Sequence, residues 1–376
     1  MKIPLSCPDI AQADRDAVNQ VMMGPQLSLG PRLPEFERIF CDYAGVRHAV
    51  AVNSGTSGLH LCVRAMGLGP GDEVITTPFS FIASSNCILM EGARPVFVDI
   101  DPRTWNIDAS RIESAITPRT KAILPVDVFG SPADMDAVNA IARKRGLRVL
   151  EDSCEAVGAT YKGRKAGTLG EAGVYGFYPN KQVTTGEGGM IVTNDDAIAS
   201  LAASMRNQGR GDSNAWLAHE RLGYNFRLSD INCALGISQM KRIDEILAHR
   251  ARTAGYYLER LRDEKRVTMQ RVPAESHVSW FVMVVRLSDE YTRADRDRIM
   301  QSLREAGIGT NNYFTPIHLQ PFYVQQFGYK RGDMPVCEAL SDRTIALPFH
   351  GLLTEAEVDT VCKTFRGLLD SGPARP

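Results

Sequence analysis

Residues 176–190 read Gly-Phe-Tyr-Pro-Asn-Lys-Gln-Val-Thr-Thr-Gly-Glu-Gly-Gly-Met, which places Lys181 between a strand-like apolar run and a glycine-rich turn. Taken alone, Lys181 would be an ordinary surface lysine, because lysine is rarely buried without a partner. Its neighbours indicate otherwise: the preceding run is apolar, Pro179 fixes the turn, and the glycines let the backbone approach a ligand. Removal from water favours the neutral amine, the form that attacks a carbonyl to make a Schiff base. The stretch therefore predicts a reactive lysine after a buried strand.

The region around this lysine alternates short β-branched runs with helical patterns, from about residue 34 to 195. Buried strands are predicted at 48–53, 73–77, 94–98, 121–126, 147–151, 173–177 and 189–193. Helical patterns such as 59–66 and 135–144 lie between several of these runs. The alternation predicts an α/β fold in which a mostly parallel seven-stranded sheet lies between helices.

A second region follows the long helical pattern at 229–262 and has fewer parallel-strand signals. Within it, residues 279–287 are predicted as a strand and residues 293–306 as a helix. We place the domain boundary near residue 240. This division gives a large domain of residues 1–240, which includes an N-terminal arm, and a smaller C-terminal α/β domain of residues 241–376.

Composition limits the classes of function. The chain has 376 residues, of which 44% are hydrophobic and 23% charged, as in an ordinary globular protein. Its 43 Lys and Arg against 44 Asp and Glu leave no electrostatic footprint for nucleic acid or an acidic membrane, so a small-molecule ligand is expected. With no run of about 18 apolar residues, no membrane span is expected. Eight cysteines without a Cys-x-x-Cys pair argue for a cytoplasmic protein and against a metal site.

Small and aromatic residues follow the first two predicted strands. After the first come Ser54, Gly55, Thr56 and Ser57, which open directly into a helical pattern. Backbone amides and hydroxyls at a helix start can cradle a phosphate, although a plain capped helix start is the alternative. After the second strand comes Phe81, whose ring could stack on a flat heteroaromatic ligand or pack in the core.

Two acids, Glu151 and Asp152, stand at the end of the fifth strand. A carboxylate at a buried strand end is costly unless it is paired. Asp152 against a protonated ring nitrogen would be such a pair, and capping of the next helix is the alternative. A phosphate cradle, a stacking ring, a carboxylate and an amine at strand ends together match what pyridoxal phosphate requires.

Four motifs, spread over the chain, are similar to those of a known family, and the similarity covers nearly the whole chain. They are Ser-Gly-Thr at 54–56, Glu-Asp at 151–152, the lysine stretch at 177–189 and Leu-Gly-Tyr-Asn-Phe-Arg-Leu-Ser-Asp at 222–230. At these residues the chain resembles the DegT/DnrJ/StrS family of sugar aminotransferases. The resemblance implies fold type I of the pyridoxal phosphate enzymes and pyridoxal 5′-phosphate as the cofactor.

The resemblance also implies roles for single residues. Lys181 would form the Schiff base with the cofactor, Asp152 would form a salt bridge with the ring nitrogen, and Phe81 would pack on the ring. The phosphate would lie among Ser54, Gly55, Thr56 and Ser57.

Two positions depart from the usual pattern of the family. Glu155 stands where many members have glutamine beside the ring hydroxyl, and a carboxylate there would change the proton balance at the cofactor. Gly176 replaces a serine that often donates to the phosphate, so that contact would be either lost or taken over by Tyr178 or water.

Later residues are expected at a shared active site. By resemblance, the loop around Asn225 reaches the phosphate of the neighbouring subunit, which implies a homodimer. Arg227, Tyr313 and His318 are candidate substrate contacts, although His318 by itself would be a packing or hydrogen-bonded histidine. Trp216 is expected as a core or interface aromatic near the substrate loops.

The activity implied is a ping-pong transamination from an amino-acid donor, L-glutamate, to a nucleotide-linked keto-sugar. Residues 80–83 and 101–108 are similar to those of members that aminate C4 of 4-keto-6-deoxy sugars. Amination of a 3-keto sugar, an inosose or another cyclic ketone stays open, as does an aminoshikimate-type lyase. A dehydratase of this fold carries histidine at the lysine position, so Lys181 argues against it. A non-catalytic regulator is the alternative of another class.

Overall fold

The computed structural model describes residues 2–211 and 218–373, so Trp216 lies outside the described residues. The strands up to residue 193 are β1 (His48–Val52), β2 (Glu73–Thr76), β3 (Arg94–Phe97), β4 (Thr120–Leu124), β5 (Arg148–Asp152), β6 (Thr160–Tyr161), β7 (Arg164–Lys165), β8 (Ala172–Gly176) and β9 (Gly189–Thr193). The helices of the same part are α1 (Gln12–Met22), α2 (Arg32–Ala44), α3 (Gly55–Ala65), α4 (Ala83–Met90), α5 (Ala109–Ala115), α6 (Met135–Arg145) and α7 (Asp196–Arg206).

The rest of the chain is richer in helices. They are α8 (Asp230–Lys241), α9 (Ile243–Leu261), α10 (Arg293–Glu305), α11 (Pro321–Phe327), α12 (Pro335–Ser341) and α13 (Glu355–Asp370). The strands here are β10 (Val267–Met269), β11 (Ser276–His277), β12 (Met283–Leu287) and β13 (Thr344–Leu347). Short 3₁₀ turns occur at Val128–Gly130 and Ile317–Leu319.

The main sheet contains the seven predicted strands in the order β1-β9-β8-β5-β4-β2-β3. The pairs from β8 through β5, β4 and β2 to β3 are parallel, whereas β9 runs antiparallel to both β1 and β8. The prediction of a mostly parallel seven-stranded sheet is therefore confirmed. Strand β9 is reversed because β8 and β9 are joined by a direct return, residues 177–188, and no crossover helix intervenes. Lys181 lies in this return.

Burial on both faces explains why the strands were readable from the sequence. Every residue of β2, β8 and β9 is buried, as expected for a sheet covered by helices on both sides. Helix α3 packs closely against β8 and β9. A side chain would not fit at Gly58, because its Cβ atom would lie 2.7 Å from Val174. The helix start at Ser54 is thereby held against the ends of these strands.

Two predicted elements of the later region differ in the structure. The pattern at 229–262 forms two helices, because Arg242 leaves the helical conformation at φ −111° and ψ 14° between α8 and α9. Of the predicted strand 279–287, only Met283–Leu287 is a strand, and it pairs antiparallel with β10 and β13. Residues 279–282 are instead a connection without regular structure, in which the Ser279 amide donates to the Gly130 carbonyl.

A second hydrophobic core is built by α9, α10, α13 and the β10-β12-β13 sheet. Ile3 is buried in this core and pairs with Ile308, so the N-terminal arm contacts the C-terminal part of the chain. The division into domains at residue 240 stays a prediction. No helix within residues 2–211 and 218–373 is long and apolar enough to cross a membrane.

Candidate active site

A cavity of about 520 Å³ opens at the carboxyl ends of the central strands. This is the place where open parallel sheets bind ligands. The predicted residues that line it are Ser54, Gly55, Thr56, Phe81, Asp152, Glu155, Gly176, Tyr178, Lys181 and Tyr313. The fold therefore brings together residues that are spread over more than half of the sequence.

Lys181 projects into this cavity and is largely buried, with 14% of its side chain exposed. Its Nζ atom lies 3.4 Å from Oε1 of Glu155 and 3.9 Å from the centre of the Phe281 ring. The carboxylate and the aromatic face are the partners that a buried ammonium group requires. This setting excludes the ordinary surface lysine.

Glu155 is held in the wall of the cavity by a second contact. Its Oε2 atom accepts a hydrogen bond of 2.9 Å from the backbone amide of Phe129. Burial raises the pKa of Glu155, and the neighbouring charge of Lys181 opposes that rise. The carboxyl group therefore stands between an amide and an amine in a position where ionisation is costly.

Asp152 faces the cavity, whereas Glu151 faces away from it, because successive residues of a strand point to opposite sides. Oδ2 of Asp152 accepts a hydrogen bond of 2.6 Å from the Ser84 hydroxyl, and Oδ1 accepts one of 3.1 Å from the Cys154 amide. Glu151 is instead satisfied by the amides of Gly167 and Leu169. Of the two acids, only Asp152 can reach a ligand in the cavity.

The start of α3 forms another wall of the cavity. Oγ of Ser54 caps the helix by accepting from the Ser57 amide at 3.1 Å, and Ser57 donates its hydroxyl to Asn53. The Ser57 hydroxyl is therefore bound to Asn53, and Ser57 does not line the cavity. The first amides of a helix have no intrahelical partner and favour an anion. Both interpretations of this motif, helix cap and phosphate cradle, are compatible in one structure.

Glycine is required at position 55 by close packing. A Cβ atom there would lie 2.7 Å from Sγ of Cys154, and a Cβ atom at Gly189 would lie equally close to the Ser54 carbonyl. The helix start can therefore approach the ends of β8 and β9 only when these positions lack side chains.

Exposed aromatic rings border the cavity. Phe81 is 61% exposed and Tyr178 is 53% exposed, although both line the cavity. A large apolar ring left open to water at a cavity is what a stacked ligand ring would cover. Phe281 and Phe314 also line the cavity. The sequence carried no signal that connected them to the site, because both lie in the later region, far along the chain from the strand ends that carry the predicted cofactor residues.

Three other predicted residues lie outside the cavity of this chain. Asn225 is exposed and lies in a bridge with Asn207, and Arg227 donates to the Asn207 side chain at 3.1 Å. His318 is fully buried, and its Nε2 atom lies 2.9 Å from Oε1 of Glu338. We therefore withdraw His318 as a substrate contact, because this buried ring is hydrogen-bonded to Glu338 and does not line the cavity.

Charge in the cavity is uneven. Among the described residues that line it, Lys181 is the one cationic side chain, whereas Asp152, Glu155 and Glu187 are acidic. Within the described ranges, no cluster of His, Cys, Asp and Glu could hold a metal ion. One chain alone therefore offers little positive charge to an anionic ligand.

Residues 8–366 match the DegT/DnrJ/EryC1/StrS aminotransferase family. The chain belongs to this family. It is 43% identical to GDP-perosamine synthase of Caulobacter vibrioides over 363 residues, which cover 96% of each protein. Membership in the DegT/DnrJ/EryC1/StrS family makes the protein a pyridoxal phosphate-dependent aminotransferase, as the motifs predicted.

Solved structures of similar proteins agree with this fold. PseC of Helicobacter pylori, an aminotransferase involved in the biosynthesis of pseudoaminic acid, superposes with a TM-score of 0.94 at 30% identity, covering 99% of this chain and 100% of that one. The aminotransferase TlmJ of Streptoalloteichus hindustanus superposes with a TM-score of 0.92 at 31% identity, with the same coverage. The prediction of fold type I is confirmed.

The cavity residues fit the cofactor of the family. The helix start at Gly55 suits its phosphate, the oriented carboxylate of Asp152 suits its ring nitrogen, and the open ring of Phe81 suits its flat face. Lys181 stands in the same cavity, with Nζ available to an aldehyde. Each requirement is therefore met by a described side chain or by backbone.

Proposed function

We propose that this aminotransferase moves an amino group from L-glutamate to a nucleotide-linked keto-sugar, a 4-keto-6-deoxy sugar, by a ping-pong reaction. The observation that carries the proposal is the buried Nζ of Lys181 beside Glu155, in the cavity that Asp152 also lines. The similarity to GDP-perosamine synthase and PseC supports a sugar acceptor. A 3-keto sugar, another cyclic ketone or a lyase reaction are the alternatives that substrate tests separate.

Lys181 has two tasks in this proposal. Its Nζ atom would hold the aldehyde of the cofactor, and as a free amine it would carry the proton at the reacting carbon of the donor. Pyridoxal phosphate supplies the electron sink for this chemistry when it is bound. Glu155, 3.4 Å away, holds the amine inside the cavity.

Asp152 and the helix start orient the reaction. The carboxylate of Asp152, held by Ser84 and the Cys154 amide, would keep a ring nitrogen protonated. The amides at Gly55 and Thr56 would bind the phosphate, and Phe81 would cover the ring. Tyr313 and Arg227 remain candidates for substrate binding, with Tyr313 already in the wall of the cavity.

We also propose that the protein works as a homodimer in the cytoplasm. The phosphate of the cofactor, the donor carboxylates and the nucleotide diphosphate are all anionic, whereas the described cavity wall carries one cation, Lys181. A second copy would supply the missing polar and cationic groups, and the exposed Asn225 is the candidate for the phosphate contact. The eight free thiols suit a reducing compartment.

The experiment begins with the purified protein and added pyridoxal phosphate. Incubation with L-glutamate should convert the spectrum to that of pyridoxamine phosphate, and a panel of 4-keto and 3-keto nucleotide sugars, followed by mass, should show an amine on a 4-keto sugar. Lys181→Ala should abolish both covalent attachment of the cofactor and turnover. Full activity of Lys181→Ala, or no conversion with any common amino donor, would overturn the proposal.

A further inference from the structure

A buried arginine from α9 lies directly behind the lysine turn. Arg250 is 3% exposed, and its Nη2 atom donates to the backbone carbonyls of Lys181 at 2.7 Å and Asn180 at 3.2 Å. Its Nη1 atom donates to the carbonyls of Phe281 at 3.2 Å and Trp280 at 3.3 Å. One guanidinium group therefore binds two segments that are far apart in the sequence.

The charge of Arg250 is unusual in its surroundings. Within the described part of the chain it forms no ion pair with a carboxylate, and Asp9, the acid whose charge acts on it, is bound to Arg242 and His249. Burial lowers the pKa of Arg250 to about 10, which still leaves it charged at neutral pH. A buried charge is costly, and here four carbonyl dipoles compensate it. Because burying this charge costs free energy, the contact indicates a role beyond packing.

The two segments that Arg250 joins are those that flank the lysine amine. One carries Lys181 itself, and the other carries Phe281, whose ring centre lies 3.9 Å from Nζ. Gln182 adds a parallel connection, since its Nε2 atom donates to the carbonyls of Glu155 at 2.6 Å and Ser279 at 2.7 Å. The position of Nζ between the Glu155 carboxylate and the Phe281 ring thus depends on how these segments are joined.

We propose that Arg250 is a positioning residue that fixes the Lys181 turn against the 280–281 segment, so that Nζ is held ready for the aldehyde of the cofactor. The proposal rests on the proposed function in assigning the aldehyde to Lys181. Lysine would not replace Arg250, because its single ammonium cannot span carbonyls on two segments as the planar fork of arginine does.

The test uses full-length Arg250→Met and Arg250→Lys, with Arg296→Met as the matched control. Arg296 is also a buried arginine, 4% exposed, that donates to a backbone carbonyl, that of Ser341 at 2.9 Å, and it does not line the cavity. Each protein is stripped of cofactor and mixed with pyridoxal phosphate. The rate of covalent attachment to Lys181 is followed by borohydride reduction and peptide mass, and the melting temperature is measured alongside.

We expect attachment in Arg250→Met to be about tenfold slower or more, because a small displacement of a reacting group costs one to two orders of magnitude. Arg250→Lys should lie between that variant and the wild type, and Arg296→Met should attach the cofactor at the wild-type rate. If Arg250→Met does not fold, the attachment rate of Arg250→Lys alone tests the proposal. A wild-type rate in the folded Arg250 variants, or an equal loss in Arg296→Met, would overturn the proposal. Attachment at a residue other than Lys181 in the wild type would instead refute the function proposed for that lysine.

Discussion

Nζ of Lys181 lies 3.4 Å from Oε1 of Glu155, and this pair is buried in the wall of the cavity. By the resemblance described above, the carboxylate takes a position where glutamine is expected in many members of the family. When it is ionised, the Glu155 carboxylate attracts the amine of Lys181. Its burial also costs free energy that the burial of a neutral glutamine would not cost.

Glu155→Gln should stabilise the cofactor-free protein at pH 8. Burial raises the pKa of Glu155 in the folded state, so the free energy of unfolding falls as the pH rises from the ordinary carboxyl range through the raised pKa, and then levels off. The amide removes this loss, so we expect a higher melting temperature for the variant than for the wild type at pH 8. At a pH below the ordinary carboxyl range the difference should vanish.

The measurement is a thermal melt across pH, with Glu187→Gln as the control. Glu187 also lines the cavity, but it is exposed, so its replacement should leave the melting temperature unchanged at every pH. A lower melting temperature of Glu155→Gln at pH 8 would show that the attraction to Lys181 outweighs the cost of burial.

Ser84→Ala should weaken binding of pyridoxal phosphate about tenfold, since a hydrogen bond to a charged group contributes roughly 1.5 kcal/mol or more. The variant removes the donor that orients Oδ2 of Asp152 at 2.6 Å. Ser85→Ala on the same helix is the control, because that hydroxyl donates to the Ile82 carbonyl and accepts from Tyr323. Titration of cofactor-free protein followed by absorbance measures both Kd values. Equal affinities in the two variants would contradict the role of Ser84.

Gly55→Ala should also weaken cofactor binding, by about tenfold, because the new methyl group would lie 2.7 Å from Sγ of Cys154 and push the helix start from its place. The double variant Gly55→Ala with Cys154→Ala should recover most of the loss, since the second change removes the sulfur atom. Gly255→Ala in α9 is the control: no atom lies within 4 Å of its Cβ position. It should bind cofactor normally and gain about 0.5–1 kcal/mol of stability. No recovery in the double variant would refute the steric explanation.

Mixed subunits test whether Asn225 acts across a dimer interface. Lys181→Ala should be inactive and Asn225→Ala should be impaired. If each site combines Lys181 of one subunit with Asn225 of the partner, a hybrid of the two variants contains one intact site. Refolding the two chains together in equal amounts should then restore about a quarter of the wild-type sites, because half of randomly paired dimers are hybrids. Activity no higher than that of the separate variants would show that both residues act within one chain.

Much of the fold could be read from local sequence because the central strands are buried on both faces. Their continuous apolar runs, broken by helical patterns, predicted every strand of the main sheet to within about two residues. The same local signals marked the helix start at Gly55, the acid pair at Glu151 and Asp152, and Lys181. The order of these motifs along the chain was enough to predict the cofactor and the family.

Tertiary structure decided what lies around those motifs. Because side chains alternate along β5, Asp152 and not Glu151 faces the cavity. Phe281 completes the cavity wall beside Lys181, and no local pattern connects these two residues. Arg250 shows no sequence signal either, since its partners are backbone carbonyls of distant segments. The periodicity of a segment determines how that segment is buried. Which distant groups meet depends on how the segments pack, and that is where the environment of the reactive amine is set.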